Sequence, residues 1–364
     1  MKFNKKWMIL IGIIMVLCLV LFGFMKISKN KANANEIRIG LVVALTGNSS
    51  GTGQPIANAV SFFEKKFPSA KFFVEDSKST PVGGTQAVHK LIDIYKVNIV
   101  FCEMTNVSAA IADYTDRNNV IFIAPIILEN FVSNWKYTVR DFMTLNEQAK
   151  ADLDEYEKNH SLDGTNLIAI VSNDEFGKSS LKGIQQALMG RDIHLIGTYN
   201  FDNDLEKIKN VVLNVMEKKP SVIFASSFSP SLGLLVKELR VAGFNGYILT
   251  TTAFSAPSIQ TAAGDGLWGI IHADFYTTKT YDELAEWYFS KFAEKPTLTT
   301  FLCYDGIAVV MAAFNACGSK DADELLNSLE KVVVPECAYG DLSVSKREVK
   351  FSLTTKTIQK NEKK

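Results

Sequence analysis

From Ile37 onward the chain repeats one pattern: a short β-branched run, a polar turn, then apolar residues at helical spacing. Residues 37–45 read as a buried strand, and Ile56, Ala59, Val60, Phe63 and Phe67 follow on one helical face. The pattern predicts further strands at 72–75, 98–102, 120–124, 167–171, 194–199, 222–225 and 247–251. Helical stripes lie between them, such as Val88, Leu91, Ile92 and Tyr95, or Leu205, Ile208, Val211, Val212 and Val215. Strands joined through helices of this length make right-handed βαβ crossovers and a parallel sheet covered on both faces. About nine such strands exceed one comfortable sheet. The expectation is therefore an α/β protein with two parallel sheets, breaking near residue 145. Beyond residue 280 the pattern turns helical (282–293, 300–316, 321–332), and an alternating stretch over 338–353 reads as strands.

Ahead of this alternation, residues 8–24 carry no charge and follow Lys2, Lys5 and Lys6, the layout of a secretory signal or an N-terminal anchor. Ala32-Asn33-Ala34 offers a cleavage site, while Lys26, Lys29 and Lys31 make the processing region long and basic. Residues 1–34 thus stand open as a cleaved signal or a retained membrane anchor. Either places the rest outside the cytoplasm. Lipidation of Cys18 is not expected, because Leu17 is not the small residue that normally precedes a lipidated cysteine.

The remaining ~330 residues suffice for two lobes of ordinary size. The sequence holds 39 basic and 39 acidic residues, so no net field favours nucleic acid. Cys102, Cys303, Cys317 and Cys337 follow the leader with no C-x-x-C, which argues against a zinc ribbon or thioredoxin-type site. Buried free thiols are the reading the sequence favours; if a pair forms in an oxidising compartment, Cys317–Cys337 is the candidate.

Enzyme signatures are missing: there is no H-E-x-x-H, no G-x-S-x-G, and the histidines are scattered. Loop 45–53 (LTGNSSGTG) matches neither the dinucleotide fingerprint nor a Walker loop, since position 56 is Ile and no lysine follows. Its hydroxyls and amides suit a small polar ligand, or a plain turn. Glu103-Met104-Thr105-Asn106 follows a strand and opens a helix, so it points at the crevice where ligands of parallel sheets sit. Backbone N–H groups there, with the Thr105 hydroxyl, suit a carboxylate; the alternative is simple helix capping by Thr105 or Asn106.

An ordered series of short motifs carries a resemblance: IGLVVALTG (39–47), Glu75-Asp76-Ser77, SNDEFG (172–177), LRVAG (239–243), DGLWG (265–269) and Tyr304-Asp305-Gly306. Over about residues 36–353 the chain resembles the type I periplasmic binding proteins, in the branched-chain amino-acid-binding branch (leucine, isoleucine, valine) of ABC transporter substrate-binding proteins. The resemblance implies two Rossmann-like lobes with parallel sheets, joined by a three-strand hinge and closing on ligand like a jaw. Lobe one is expected at 36–142 with 274–336, lobe two at 143–273 with 337–355, and a tail at 356–364. The implied function is an extracytoplasmic solute-binding protein of an ABC importer, in the periplasm or at the outer face of the cytoplasmic membrane. Its partners are a small-molecule ligand and permease subunits; it needs no cofactor or metal and works as a monomer. The alternative is a membrane-anchored sensor or interaction protein with a degenerate amino-acid pocket.

By position, Thr105 matches the hydroxyl residue that binds the ligand carboxylate, with Met104 beside it. Thr52, Phe176 and Phe228 match further pocket-lining places. Two departures stand out. The family's second loop, small-x-hydroxyl, here reads Pro125-Ile126-Ile127-Leu128, which puts Ile126 and Leu128 at the pocket. The acid that pairs with the ligand ammonium falls on Thr252. An ammonium buried without its carboxylate costs several kcal/mol. The ligand implied is thus amino-acid-like, or a carboxylate with an apolar or aromatic body against Phe176, Phe228 and Phe254. Glu103 or Asp305 supplies the missing charge if either points inward.

Overall fold

A computed structural model describes residues 36–126 and 131–359. The apolar stretch 8–24, the site after Ala34, Leu128 and the last residues from 360 lie outside them.

Strands β1 (Ile37–Val43), β2 (Ala70–Asp76), β3 (Ile99–Cys102), β4 (Ile121–Ala124) and β5 (Thr138–Arg140) enter one sheet. Strands β6 (Thr165–Ser172), β7 (Ile193–Phe201), β8 (Val222–Ser226), β9 (Tyr247–Thr250) and β10 (Ile270–Phe275) build a second. The chain then returns: β11 (Val333–Cys337), β12 (Gly340–Ser345) and β13 (Glu348–Lys350) extend the first sheet, and β14 (Leu353–Ile358) completes the second. The first sheet runs β11-β12-β13-β5-β4-β3-β1-β2 and the second β14-β10-β9-β8-β6-β7. Central strands are parallel and buried on both faces, which is why β1 reads as an almost unbroken apolar run.

Three details depart from the sequence reading. The sheets are mixed rather than purely parallel, because β11–β12, β12–β13 and β10–β14 pair antiparallel. Residues 337–350 belong to the first sheet and not to lobe two, since β13 lies beside β5 at Glu348–Arg140. The expected tail from 356 begins too early: Lys356 and Ile358 are paired with β10.

The helices fill both faces: α1 (Ser50–Lys66), α2 (Pro81–His89), α3 (Thr105–Arg117), α4 (Leu145–Glu157), α5 (Glu175–Ala187), α6 (Leu205–Glu217), α7 (Ser231–Val241), α8 (Lys279–Phe292), α9 (Leu298–Cys317) and α10 (Ala322–Leu329). The 88–95 stripe begins in α2 and continues past His89 as a π-turn over Lys90–Ile94, which widens the helix while still burying Leu91 and Ile92. Helix α9 is long and apolar enough to span a membrane, yet 78% of its apolar stretch is buried. It is the core helix of the first lobe.

The chain passes between the sheets after β5, after β10 and after β13. Each crossing carries a phenylalanine, and the three meet: the Phe275 ring lies 5.7 Å from Phe142 and 5.1 Å from Phe351. The Tyr276 amide donates to the Ser352 carbonyl at 3.1 Å, tying the second crossing to the third. The four cysteines are unbonded, so the Cys317–Cys337 pairing is not formed; Cys337 directs its thiol at the Val334 carbonyl instead.

Candidate functional site

Most motif residues turn out to be fasteners. Asp76, at the end of β2, accepts from the amides of Leu45, Thr46 and Lys78 and from the Thr46 hydroxyl. Partial burial works against its charge, but these four donors outweigh it and hold its carboxyl below the usual range. Asp174 caps α5 by accepting from Gly177 N–H at 2.8 Å. Arg240 donates to the carbonyls of Phe244, Gly246 and Trp268 at 2.8, 2.8 and 2.6 Å, and lies 3.8 Å over the Trp268 ring. It thereby joins the 239–243 and 265–269 motifs. Asp305 accepts from the amides of Ala338 and Tyr339 at 2.6 and 2.9 Å and is fully buried. Burial raises it to about 8, against the pull of those amides. Its carboxylate is spent on the backbone, so Asp305 does not supply charge to a ligand.

A cavity of about 610 Å³ opens where β1 and β3 end. Ser49 and Thr52 border it from the start of α1, and Thr299 from the start of α9. Opposite them run Glu103, Met104, Thr105 and Asn106, with Ala109 one turn into α3. Helix α3 starts at Met104 without a side-chain cap; Asn106 spends its amide oxygen on the neighbouring Val107 N–H. Among the described residues the Thr105 hydroxyl takes no partner. The mouth therefore presents a helix N-terminus with its partial positive charge, an unengaged hydroxyl and a ring of further hydroxyls. The alternative of capping by Thr105 is not what the backbone adopts.

The floor is set by close packing of α1 on β1. A Cβ on Gly53 lands 2.3 Å from the Ala44 nitrogen, so only glycine lets the helix approach. That same Ala44 N–H donates to Glu103 Oε1 at 2.8 Å. Burial pushes the Glu103 carboxyl up to about 7; the Ala44 amide and its own amide oppose the shift, and Asp76 adds to it.

Of the residues expected at the pocket, Thr52, Met104 and Thr105 line this cavity. Ile126 does not: at 1% exposure it packs in the first lobe with Phe131 and Phe122. Thr252 is spent elsewhere, its amide and hydroxyl both donating to Gln148 Oε1 at 3.0 and 3.3 Å. Phe176 and Phe228 pack on each other, rings 4.1 Å apart, rather than on the cavity wall; Phe228 remains 53% exposed. Ser49 and Asn106 lie in the two loops that the sequence aims at a ligand; Ala109 and Thr299 were not foreseen. Every lining residue comes from the first lobe. Among the described residues no group of three or more His, Cys, Asp or Glu side chains gathers as a metal site.

A family model described as periplasmic binding protein matches residues 36–351. No curated protein matches the sequence. Among solved structures, the closed leucine-, isoleucine-, valine-, threonine- and alanine-binding protein of Brucella ovis is 17% identical, covering 90% of this chain and 91% of its own, with a TM-score of 0.77. A solute-binding protein of an ABC transporter from Rhodopseudomonas palustris, in complex with 3,4-dihydroxybenzoic acid, is 18% identical over 89% and 93%, TM-score 0.73. The branched-chain amino acid transporter substrate-binding protein of Streptococcus pneumoniae, in complex with isoleucine, is 17% identical over 89% and 97%, TM-score 0.71. These likenesses are likenesses of fold. Two lobes, three crossings and a family match over nearly all the described chain lead to one conclusion: the chain belongs to the periplasmic binding protein family.

Proposed function

We propose that this protein is the extracytoplasmic solute-binding component of an ABC importer, capturing a small amino-acid-like or aromatic carboxylate and presenting it to permease subunits. The observation that carries the reading is the cavity at the uncapped start of α3, where backbone N–H groups and the Thr105 hydroxyl stand ready for an anion. Relatives of the same fold hold isoleucine and 3,4-dihydroxybenzoic acid, the two ligand types this mouth suits. In the proposed cycle the ligand docks on lobe one, and rotation about the three crossings brings up Phe176 and Phe228 as a cover. Contacts from both lobes then favour the closed state.

The alternative, an anchored sensor with an altered pocket, draws on one observation: Thr252, at the family's acidic position, is turned to Gln148. A thermal-shift screen of amino acids and aromatic acids tests both. A ligand at 100 times its Kd adds about 2.7 kcal/mol, a rise of roughly 5 °C for a chain this size. Flat midpoints across the whole panel overturn solute capture. A Thr105→Ala change weakens a genuine carboxylate ligand about 10-fold or more by losing one hydrogen bond to a charged group.

A further inference from the structure

Glu103 does not behave like the other acids of the motifs. It is 8% exposed and its Oε1 is engaged by Ala44, but Oε2 is buried with no hydrogen-bond partner. Asp76, Asp174 and Asp305 are each answered by backbone donors; Glu103 keeps one oxygen unanswered, and the residue lines the cavity. Among the described residues no cation acts on it. The titratable groups that face it are Asp76 at the end of β2, the Cys102 thiol on β3 and the Cys303 thiol on α9. A buried acceptor without a donor is costly to maintain, and Glu103 is one of the residues that line the cavity.

The second lobe supplies no acid to a ligand at the position where the family places one, because Thr252 stands there and is bonded to Gln148. Two residues beyond Glu103, Thr105 and the start of α3 offer the opposite polarity. A compact ligand meeting both must carry a proton-donating cation next to an anion.

Resting on the solute-binding reading above, we infer that Glu103 Oε2 is the subsite for the ligand's ammonium. The ligand class is an amine-bearing acid whose carboxylate sits at the start of α3, so that lobe one alone grips both ends. Aromatic acids without an amine fall outside the class. Burial, which holds the empty site's carboxyl near 7, gives this a pH signature. Glu103 must release its proton to receive an ammonium, so affinity rises with pH and levels above about 7. An amine-free acid has the opposite slope, since its carboxylate is repelled by ionised Glu103.

The test is isothermal titration calorimetry of the full chain with the twenty amino acids and the amine-free acids 4-hydroxybenzoate, 3-phenylpropanoate and 3-methylpentanoate. It is repeated for Glu103→Gln and Thr105→Ala at pH 5.5 and 8. The inference expects an amino acid to bind at least tenfold tighter than its amine-free counterpart. Binding at pH 5.5 is roughly thirtyfold weaker than at pH 8, and in Glu103→Gln that pH dependence disappears along with at least tenfold in affinity. Equal or tighter binding of the amine-free acid to the wild-type chain overturns the inference without recourse to any variant. So does unchanged amino-acid affinity in Glu103→Gln when Thr105→Ala has lost it, and in that case the site itself stands. Binding of no probe to the wild-type chain overturns the solute-binding reading and the inference with it.

Discussion

Replacing Glu103 by glutamine is expected to stabilise the ligand-free protein at alkaline pH while leaving it nearly unchanged in acid. The ordinary glutamate value of 4.5 is raised in the folded protein to about 7, chiefly because the carboxyl is buried. Folding therefore takes up a proton at this site. Its contribution is fully present below about 4.5 and is lost as pH climbs through about 7. At about 1.36 kcal/mol for each tenfold change in proton affinity, that interval amounts to ~3 kcal/mol. Glutamine keeps an acceptor for the Ala44 N–H and carries no charge to bury. Buried Asp141, Asp152 and Asp305 are raised in the same direction, so absolute stability of both proteins drops toward alkaline pH. The difference between them isolates Glu103. Urea unfolding of both proteins at pH 5, 6, 7 and 8, without ligand, reads it out. The expected difference is about 1 kcal/mol at pH 5 and approaches ~3 kcal/mol in favour of the variant at pH 8. A difference that stays within about 0.5 kcal/mol across the range shows that the carboxyl is not held above its ordinary value, and refutes the electrostatic argument.

Two further substitutions probe the frame of the site. Gly53→Ala forces a methyl group to within 2.3 Å of the Ala44 nitrogen; the overpacking is expected to cost about 1–3 kcal/mol in urea unfolding and to weaken ligand binding by disturbing the Ala44–Glu103 contact. Arg240→Met removes the donor to four carbonyls and the stack on Trp268. Since hydrogen bonds to charged groups contribute about 1.5–3 kcal/mol each, a loss of about 3 kcal/mol or more is expected by denaturant unfolding, with ligand affinity unaltered below the transition.

The strands were legible because parallel strands buried on both faces announce themselves as apolar runs, as in β1, β6 and β8. Strand β11 is different. Val-Val-Pro-Glu-Cys is mostly exposed at a sheet edge, with only Cys337 buried, and no local signal separates it from a loop of either lobe. Sheet membership there depends on β13 meeting β5 more than two hundred residues away in sequence. Thr105 was legible because a strand-to-helix junction places its loop at the crevice. Thr299 was not: its contact with Thr52 spans 247 residues of chain. Thr252 shows the opposite failure, since a position can be matched while its tertiary partner, here Gln148, stays hidden.

The motifs that carry the resemblance specify the frame rather than the cargo. Asp76 pins the first loop, Asp174 caps α5, Arg240 fastens two turns of lobe two and Asp305 anchors the chain just before β12. A relative can keep all four while exchanging its ligand chemistry, so recognising the family leaves the ligand open. In this chain the acid at the cavity is Glu103, on lobe one, while Thr252 on lobe two is bonded to Gln148. With anion and cation contacts both on lobe one, as proposed, recognition is complete before the jaw moves. Closure then draws on apolar burial, with Phe228 offering the exposed ring that closing has yet to cover. An ion pair formed across the gap weakens with salt, whereas apolar closure does not. On that proposal selectivity and closure rest on different lobes and different forces, and a change in one need not cost the other.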